Sequence, residues 1–333
     1  MAQLTKIEHA RDDETLARIA GALPLDGRTL ARDGPDETWM VRDARGEGAA
    51  HGSIWWRDAP QLTGRRTGVI GHYAASDAAS ATHLLDHLCG RLASEGCVVA
   101  VGPMDGNTWR RYRFAVHRGD EPPFFMDVEN PAEWLAHFRA SGFDAIADYI
   151  STVVDDIAAA DPRVPRVSAR LAKLNVRIRE LNQSQLDDDL RAIHVLSLRS
   201  FQDAFLYTPI SESGFFALYR PLLPRVDPRL VLVAEHEDRL AGYVFTVPDL
   251  NERARGAPLR TLVVKTLAVL PDRAYAGLGA VLLARVHEHA RQMGLDRAIH
   301  ALMHVSNMSR ALSGHWQGRE IRRYELYGRE LTT

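Results

Sequence analysis

Val263-Val264-Lys265-Thr266-Leu267-Ala268-Val269-Leu270-Pro271-Asp272-Arg273-Ala274-Tyr275-Ala276-Gly277-Leu278-Gly279-Ala280 decides how this chain is read. It predicts a buried strand, a tight glycine turn and the start of a long amphipathic helix. Glycines let a backbone approach a ligand with no Cβ in the way. The unpaired N–H groups of a helix's first turn, at the positive end of its dipole, can hold a pyrophosphate. Leu278, Leu282, Val286, Ala290 and Met293 recur at spacings of three and four, so the helix carries one apolar stripe to lay on a sheet, and Gly294 closes it.

Outward from this stretch, the second half keeps a regular rhythm. Strands are expected at Val176 to Leu181, Leu230 to Glu235, Ala241 to Pro248 and Leu259 to Leu270, with a helix from Leu186 to Gln202 after the first. Past the glycine helix come a strand at Ala298 to Met303, a short helix near Ser309 to His315 and a last strand from Ile321 to Leu331. The first half repeats the order more faintly. A helix near Asp13 to Ala22 precedes β-rich runs at Glu37 to Arg42 and Ala49 to Arg57, then a strand Thr67 to Tyr73, a helix Ala78 to Ser94, a strand Cys97 to Gly102 and a final strand Asp144 to Val154. From Asp155 through Pro162 and Pro165 the chain turns polar and proline-punctuated, which divides it into domains at 1–155 and 174–333 with a linker at 156–173.

The halves differ where the glycine turn belongs. Gly71-His72-Tyr73-Ala74-Ala75-Ser76-Asp77-Ala78 runs from strand to helix with no glycine at the helix start. Asp77 or Ser76 is an N-cap there, and a capping side chain takes up the N–H groups that a pyrophosphate needs.

Composition narrows the class. The 333 residues suffice for two domains, and 46% hydrophobic with 25% charged residues is ordinary for a folded, soluble chain. Forty-one basic and 43 acidic residues give a net charge of −2, which offers no general attraction to nucleic acid or an anionic membrane. Neither a signal-like apolar core nor a run of about eighteen apolar residues occurs. A cytoplasmic monomer or homodimer without nucleic-acid or membrane partners is expected. Cys89 and Cys97 fit neither a disulfide framework nor a zinc spacing and read as small buried residues; no metal site is expected.

The strand–turn–helix phrase resembles motif A of the GNAT acetyltransferase superfamily, in which a strand ending Leu-x-Val-x-Pro leads into Gln/Arg-x-x-Gly-x-Gly/Ala at a helix head. Leu267, Val269 and Pro271 match the strand, and Gly277 and Gly279 the small positions; the basic position holds Ala274, with Arg273 one place earlier. Phe138-Arg139-Ala140-Ser141-Gly142-Phe143 is similar to the aromatic-x-x-x-Gly-Phe ending found after the fifth strand of many such domains. Over nearly its full length the chain resembles a tandem GNAT protein. That resemblance implies an α/β fold of two GNAT-like domains, each a central mixed, mostly antiparallel sheet flanked by helices, the C-terminal one with the acetyl-CoA motif and the N-terminal one degenerate. It implies acetyl-CoA as cosubstrate, its pantetheine paired to the backbone of Leu267, Ala268 and Val269. The pyrophosphate then falls on the turn Arg273, Ala274, Tyr275, Ala276, Gly277, Leu278, Gly279 and Ala280, with Asn307 as a further contact.

Such an enzyme aligns an amine with the thioester, removes its proton and stabilises the tetrahedral oxyanion. His304, just past the fifth strand where family members splay the fourth and fifth strands apart, is the first candidate base; its plainer role is to line the cleft. Glu235, acting through a water, is the carboxylate alternative. Met303-His304-Val305-Ser306-Asn307 supplies the family's asparagine, but seven residues on, where a tyrosine protonates the leaving thiolate, stand Gly314, His315 and Trp316. His315 is the candidate acid in its place, or a surface residue. Tyr324 and Tyr327 read as half-buried strand aromatics. The aromatic segment 201–219, with Glu212, lies where family members cover the acceptor, although packing alone explains Phe201 and Phe205. Between Val101 and Phe114 the chain reads as a turn with a surface strand, or as a loop presenting Asn107, Trp109 and Arg110 to an interdomain cleft. The implied function is transfer of acetyl from acetyl-CoA to a primary amine of a small molecule. The alternatives are a mycothiol-synthase-like aminothiol acetyltransferase and a non-catalytic acyl-CoA-binding regulator.

Overall fold

The computed structural model describes residues 6–9, 25–159, 161–306 and 313–332. The helix expected near Asp13 to Ala22 and most of that near Ser309 to His315 lie outside these residues. The first half comprises β1 (Lys6–His9), α1 (Gly27–Asp33), β2 (Glu37–Arg42), β3 (Gly48–Trp55), β4 (Thr67–Ala75), α2 (Ala78–Ser94), β5 (Val99–Gly102), β6 (Phe114–His117), α3 (Ala132–Ala140) and β7 (Asp144–Val154). The second comprises α4 (Val164–Lys173), β8 (Arg177–Glu180), α5 (Leu186–Ser200), α6 (Glu212–Tyr219), β9 (Val231–His236), β10 (Arg239–Pro248), α7 (Leu250–Ala254), β11 (Thr261–Val269), α8 (Leu278–Gln292), β12 (Arg297–His304) and β13 (Arg319–Glu330).

The strands form one thirteen-stranded sheet in the order β1-β2-β3-β4-β5-β13-β7-β12-β11-β10-β9-β8, with β6 beside β13. It is mixed and mostly antiparallel, the parallel pairs being β4 with β5 and β11 with β12. Two separate sheets were expected. Instead the last strand of each half pairs with the other half: β7 lies against β12, and β13 against β5, with β7 and β13 paired to each other from Arg319↔Val153 to Gly328↔Asp144. The stretch read as a linker holds α4, whose Pro165 sits in its first turn and whose Leu171 is buried.

Periodicity explains the layers. In α2, Leu84, Leu85, Leu88 and Leu92 are fully buried against the sheet of the first half; in α8, Leu278, Leu282, Val286 and Ala290 are fully buried against that of the second. Each such leucine or valine contributes about 1.5–3 kcal/mol relative to exposure. Tyr324 and Tyr327 are buried rather than half-buried, because β13 is an internal strand.

Candidate active site

The site begins where two parallel strands part. β11 pairs with β12 only from Thr261↔Arg297 to Val264↔His300, yet runs on to Val269, while β12 parts from it and stays paired with β7 as far as Met303↔Ile150 and His304↔Tyr149. On its other side, the register of β11 with β10 steps from Thr246↔Val264 to Phe245↔Thr266, which leaves Lys265 as the extra residue of a bulge. A bulge bends its strand and re-aims a side chain. The edge of β11 from Lys265 to Val269 that faces the gap therefore has no strand partner among the described residues, and such an edge can accept an extended ligand as another strand.

This edge leads into the glycine turn. Asp272 caps a short 3-10 turn through Ala274 N–H at 2.8 Å, and Gly277 then adopts φ 82° as the N-cap of α8, with no capping side chain. The N–H groups of Leu278 and Gly279 take no partner among the described residues. Leu278 and Ala280 bury their side chains and offer only backbone here. Tyr275 is likewise buried, its hydroxyl 2.8 Å from Nδ1 of His236, so its side chain points into the core. Arg273 is exposed. The cation at this turn comes from elsewhere: Arg170 of α4 donates to the carbonyl of Ala274 at 2.7 Å and to that of Ala276.

Residues of both halves line the gap. His304, half-buried, packs edge-on to Tyr149 at 4.9 Å and near Phe205 at 5.9 Å, and its Nδ1 accepts from the Ser306 hydroxyl at 2.8 Å. Burial, helped by the charge of Arg113, holds its pKa below the ordinary histidine value. The Arg113 guanidinium stacks on Tyr112 at 3.7 Å and Tyr149 at 4.0 Å and donates to the carbonyl of Leu302 at 3.2 Å. Leu302 has φ 60°, and its N–H donates to Ser151 Oγ at 2.9 Å, which marks the irregularity in the pairing of β12 with β7 where β12 also parts from β11. Lys265 donates from Nζ to the carbonyl of Met126 at 3.2 Å and forms no ion pair among the described residues. Burial, then the charge of Arg113, pushes its ammonium down to about 7 against the pull of Asp127. Asp127 is itself engaged by Arg322 at 3.2 Å and by the Tyr324 hydroxyl at 2.6 Å.

Two predicted catalytic side chains are not brought here. Glu235 lies on β9, which β10 separates from β11, and its carboxylate is held by Arg179 at 2.7 Å. Its position at a strand end gave it the look of a cleft residue; the strand order removes it. His315 is exposed beside the buried Trp316, which packs on His287 of α8, and no described contact joins it to His304. Asn307 lies outside the described residues. Of the 101–114 loop, Trp109 does reach the second half, donating to the Thr208 carbonyl at 2.8 Å amid Phe201, Tyr207 and Phe215. Arg110 turns back to Asp33 at 3.1 Å, and Asn107 accepts from the Trp109 N–H. Glu212 of α6 pairs with Arg191 at 3.3 Å at the surface. Lys265, Arg113, Tyr149 and Arg170 escaped the sequence reading. The one available signal was compositional: only three of the 41 basic residues are lysines, and Lys265 alone stands in an apolar strand.

The first half has the same parting of strands, filled by its own chain. β4 and β5 pair only from Thr67↔Val99 to Val69↔Val101. Beyond that, the Met104 N–H donates to the Ile70 carbonyl at 2.8 Å and Asp105 accepts from the His72 N–H at 2.6 Å. A Cβ on Gly71 would sit 2.1 Å from the Met104 carbonyl oxygen, so the insertion requires glycine there. Asp77 caps α2, accepting from Ser80 N–H at 2.9 Å. Asp33, His72 and Ser53 form a buried chain of contacts at 3.0 Å each, closed to solvent.

No helix among the described residues is long and apolar enough to cross a membrane. Residues 191–312 match the model of the acetyltransferase (GNAT) family. In fold the chain is similar to a GCN5-related N-acetyltransferase from Sphaerobacter thermophilus, at 12% identity over 98% of this chain and 96% of that one, TM-score 0.53. It is similar also to a tandem GNAT protein from the clavulanic acid biosynthesis pathway, at 15% identity over 96% and 91% of the two chains, TM-score 0.52. A bacterial ceramide synthase from Caulobacter vibrioides is 25% identical over 199 residues, 58% of this chain and 51% of that protein, so the chain spans about half the length of the curated relative it matches. Residues 191–312 thus carry a GNAT acetyltransferase family match, and the chain as a whole is similar in fold to tandem GNAT proteins.

Proposed function

We propose that the chain is an acyl-CoA-dependent N-acyltransferase that moves acetyl from acetyl-CoA to a primary amine of a small molecule, using the gap between β11 and β12. The observation that carries this reading is the continuity of the unpartnered β11 edge with the uncapped start of α8. The edge suits an extended pantetheine, and the free N–H groups suit its pyrophosphate. His304, kept neutral near pH 7, is the base that takes the acceptor's proton. The first half lends Arg113 and Tyr149 to the gap and binds no acyl-CoA of its own, since residues 103–106 fill its strand opening and Asp77 caps its helix. Both cysteines are free and buried, which suits a reducing compartment such as the cytoplasm.

Calorimetry with acetyl-CoA, followed by a thiol-release assay over a panel of amines, tests the proposal. Binding with amine-dependent thiol release supports it. Tight binding with no release across the panel favours a non-catalytic acyl-CoA-binding protein, and no binding discards the assignment of the gap. The likeness to a ceramide synthase gives the panel two further members, a long-chain acyl-CoA and a long-chain amino alcohol, because a ceramide is the amide of those two components.

A further inference from the structure

Thioester aminolysis expels a thiolate, and a thiol with a pKa of about 8.5 or above leaves more readily at neutral pH if a proton reaches the sulfur as the bond breaks. The predicted acid, His315, is exposed and has no described contact with His304. Within the gap the described groups able to give up a proton near neutrality are few. Arg113 and Arg322 hold theirs at all accessible pH, and the Tyr324 hydroxyl is committed to Asp127.

Lys265 differs from all of these. It is the bulged residue at the apex of the gap, its ammonium is tied among the described residues to the Met126 carbonyl alone, and it is one of three lysines among 41 lysines and arginines. An extended ligand following β11 from the glycine turn passes Val269 first and reaches Lys265 after four residue steps, roughly 13 Å. The end of the ligand distant from the pyrophosphate is therefore the part that meets the lysine.

We propose that the Lys265 ammonium protonates the sulfur of the departing thiolate. This rests on the reading of the gap as an acyl-CoA site. The acceptor ammonium loses one proton to solvent on binding, and its nitrogen then forms a bond to the carbonyl carbon as His304 takes a second proton from it. The C–S bond breaks with its electron pair passing to sulfur, an Nζ–H proton moves to that sulfur, and Lys265 is left as the neutral amine. Solvent re-protonates Lys265 and receives the proton held by His304, so one ammonium and one thioester yield one amide, one thiol and one proton. The groups facing Lys265 suit a donor poised near neutrality: Arg113 favours loss of its proton, while Asp127, already shared with Arg322 and Tyr324, favours retention.

The full-length protein, K265M and K265R are compared for acetyl-CoA affinity by calorimetry and for kcat across pH with an amine that the wild type accepts. Both variants are expected to bind acetyl-CoA within threefold of wild type and to lose about 100-fold or more in kcat. K265R gives no rescue, because a guanidinium does not release its proton. The alkaline fall of the kcat profile, present in the wild type as Lys265 deprotonates, is expected to vanish in both. A variant that keeps kcat within fivefold, or rescue by K265R, overturns the role of Lys265 while leaving the site in place. A wild type that binds no acetyl-CoA overturns the reading on which the role depends.

Discussion

The guanidinium of Arg170 donates at 2.7 Å to the carbonyl of Ala274, in the turn that leads to α8. The family pattern has a basic side chain at position 274, and here a residue about a hundred positions earlier brings the charge to the same turn. With the Ala274 and Ala276 carbonyls engaged from one side, the turn keeps its N–H groups for the other. R170M is expected to weaken acetyl-CoA binding about tenfold, the equivalent of about 1.4 kcal/mol and in the range of a charge-assisted hydrogen bond. Calorimetry over a salt series checks this, and an unchanged affinity shows that the clamp is dispensable.

Gly277 and Gly279 make separable demands. Gly277 holds φ 82°, and a Cβ there would lie 3.0 Å from both γ-methyls of Val167 on α4. G277A is therefore expected to cost about 1–2 kcal/mol of stability through its left-handed backbone alone, with V167A relieving only the steric part in a double-mutant cycle. Gly279 lies in the first turn of α8 with its N–H unpartnered among the described residues. G279L is expected to abolish acetyl-CoA binding at little cost to the thermal midpoint. Equal loss of binding and stability in both variants would show that the turn is only structural.

The exchange of last strands makes the halves interdependent. β13 lies between β5 and β7, so a chain ending at Gly318 leaves two internal strands of the first half with unpaired edges. Fragments 1–155 and 174–333 are expected not to fold alone but to assemble when co-expressed, and the intact chain to unfold in a single calorimetric transition. Two resolved transitions, or a soluble, folded 1–155 fragment, would contradict this.

Local pattern carried most of the secondary structure, because periods of two and near four depend on neighbours in sequence. Glu37–Arg42, Ala78–Ser94 and Asp144–Val154 fall where alternation and stripes placed them. Long-range pairing left no such trace: nothing in Asp144–Val154 says that its partner is β12 of the other half. The site divided along the same line. The glycine turn is a contiguous phrase and was legible, whereas Glu235 seemed eligible until the strand order put β10 in its way. Val263-Val264-Lys265-Thr266-Leu267 reads as an unbroken strand, and its bulge exists only in the register with β10. Arg170 was hidden for a further reason, since it acts on a turn distant in sequence from a helix that reads as linker.

Buried histidines set the acid limit of the fold. His287 and His300 stack at 5.9 Å beneath Trp316; both ring nitrogens of His287 and Nε2 of His300 lack a partner among the described residues. Burial lowers their pKa values to about 3 and about 4, and that of His51, buried in the first half, to about 4. Each folded value lies below the unfolded value near 6.5. Above pH 6.5 both states are neutral at these sites and stability is undiminished. As pH falls from 6.5 toward 4 the unfolded chain takes up protons that the native state refuses, and each histidine lowers stability by about 1.4 kcal/mol per pH unit. Urea unfolding at pH 7, 5.5 and 4.5 is expected to show this decline. H287L/H300L removes two of the three protons, so it should flatten the decline by about 2.7 kcal/mol per pH unit, whatever its effect at pH 7. An unchanged pH slope in that variant would mean that these rings are protonated, and paired, in the native protein.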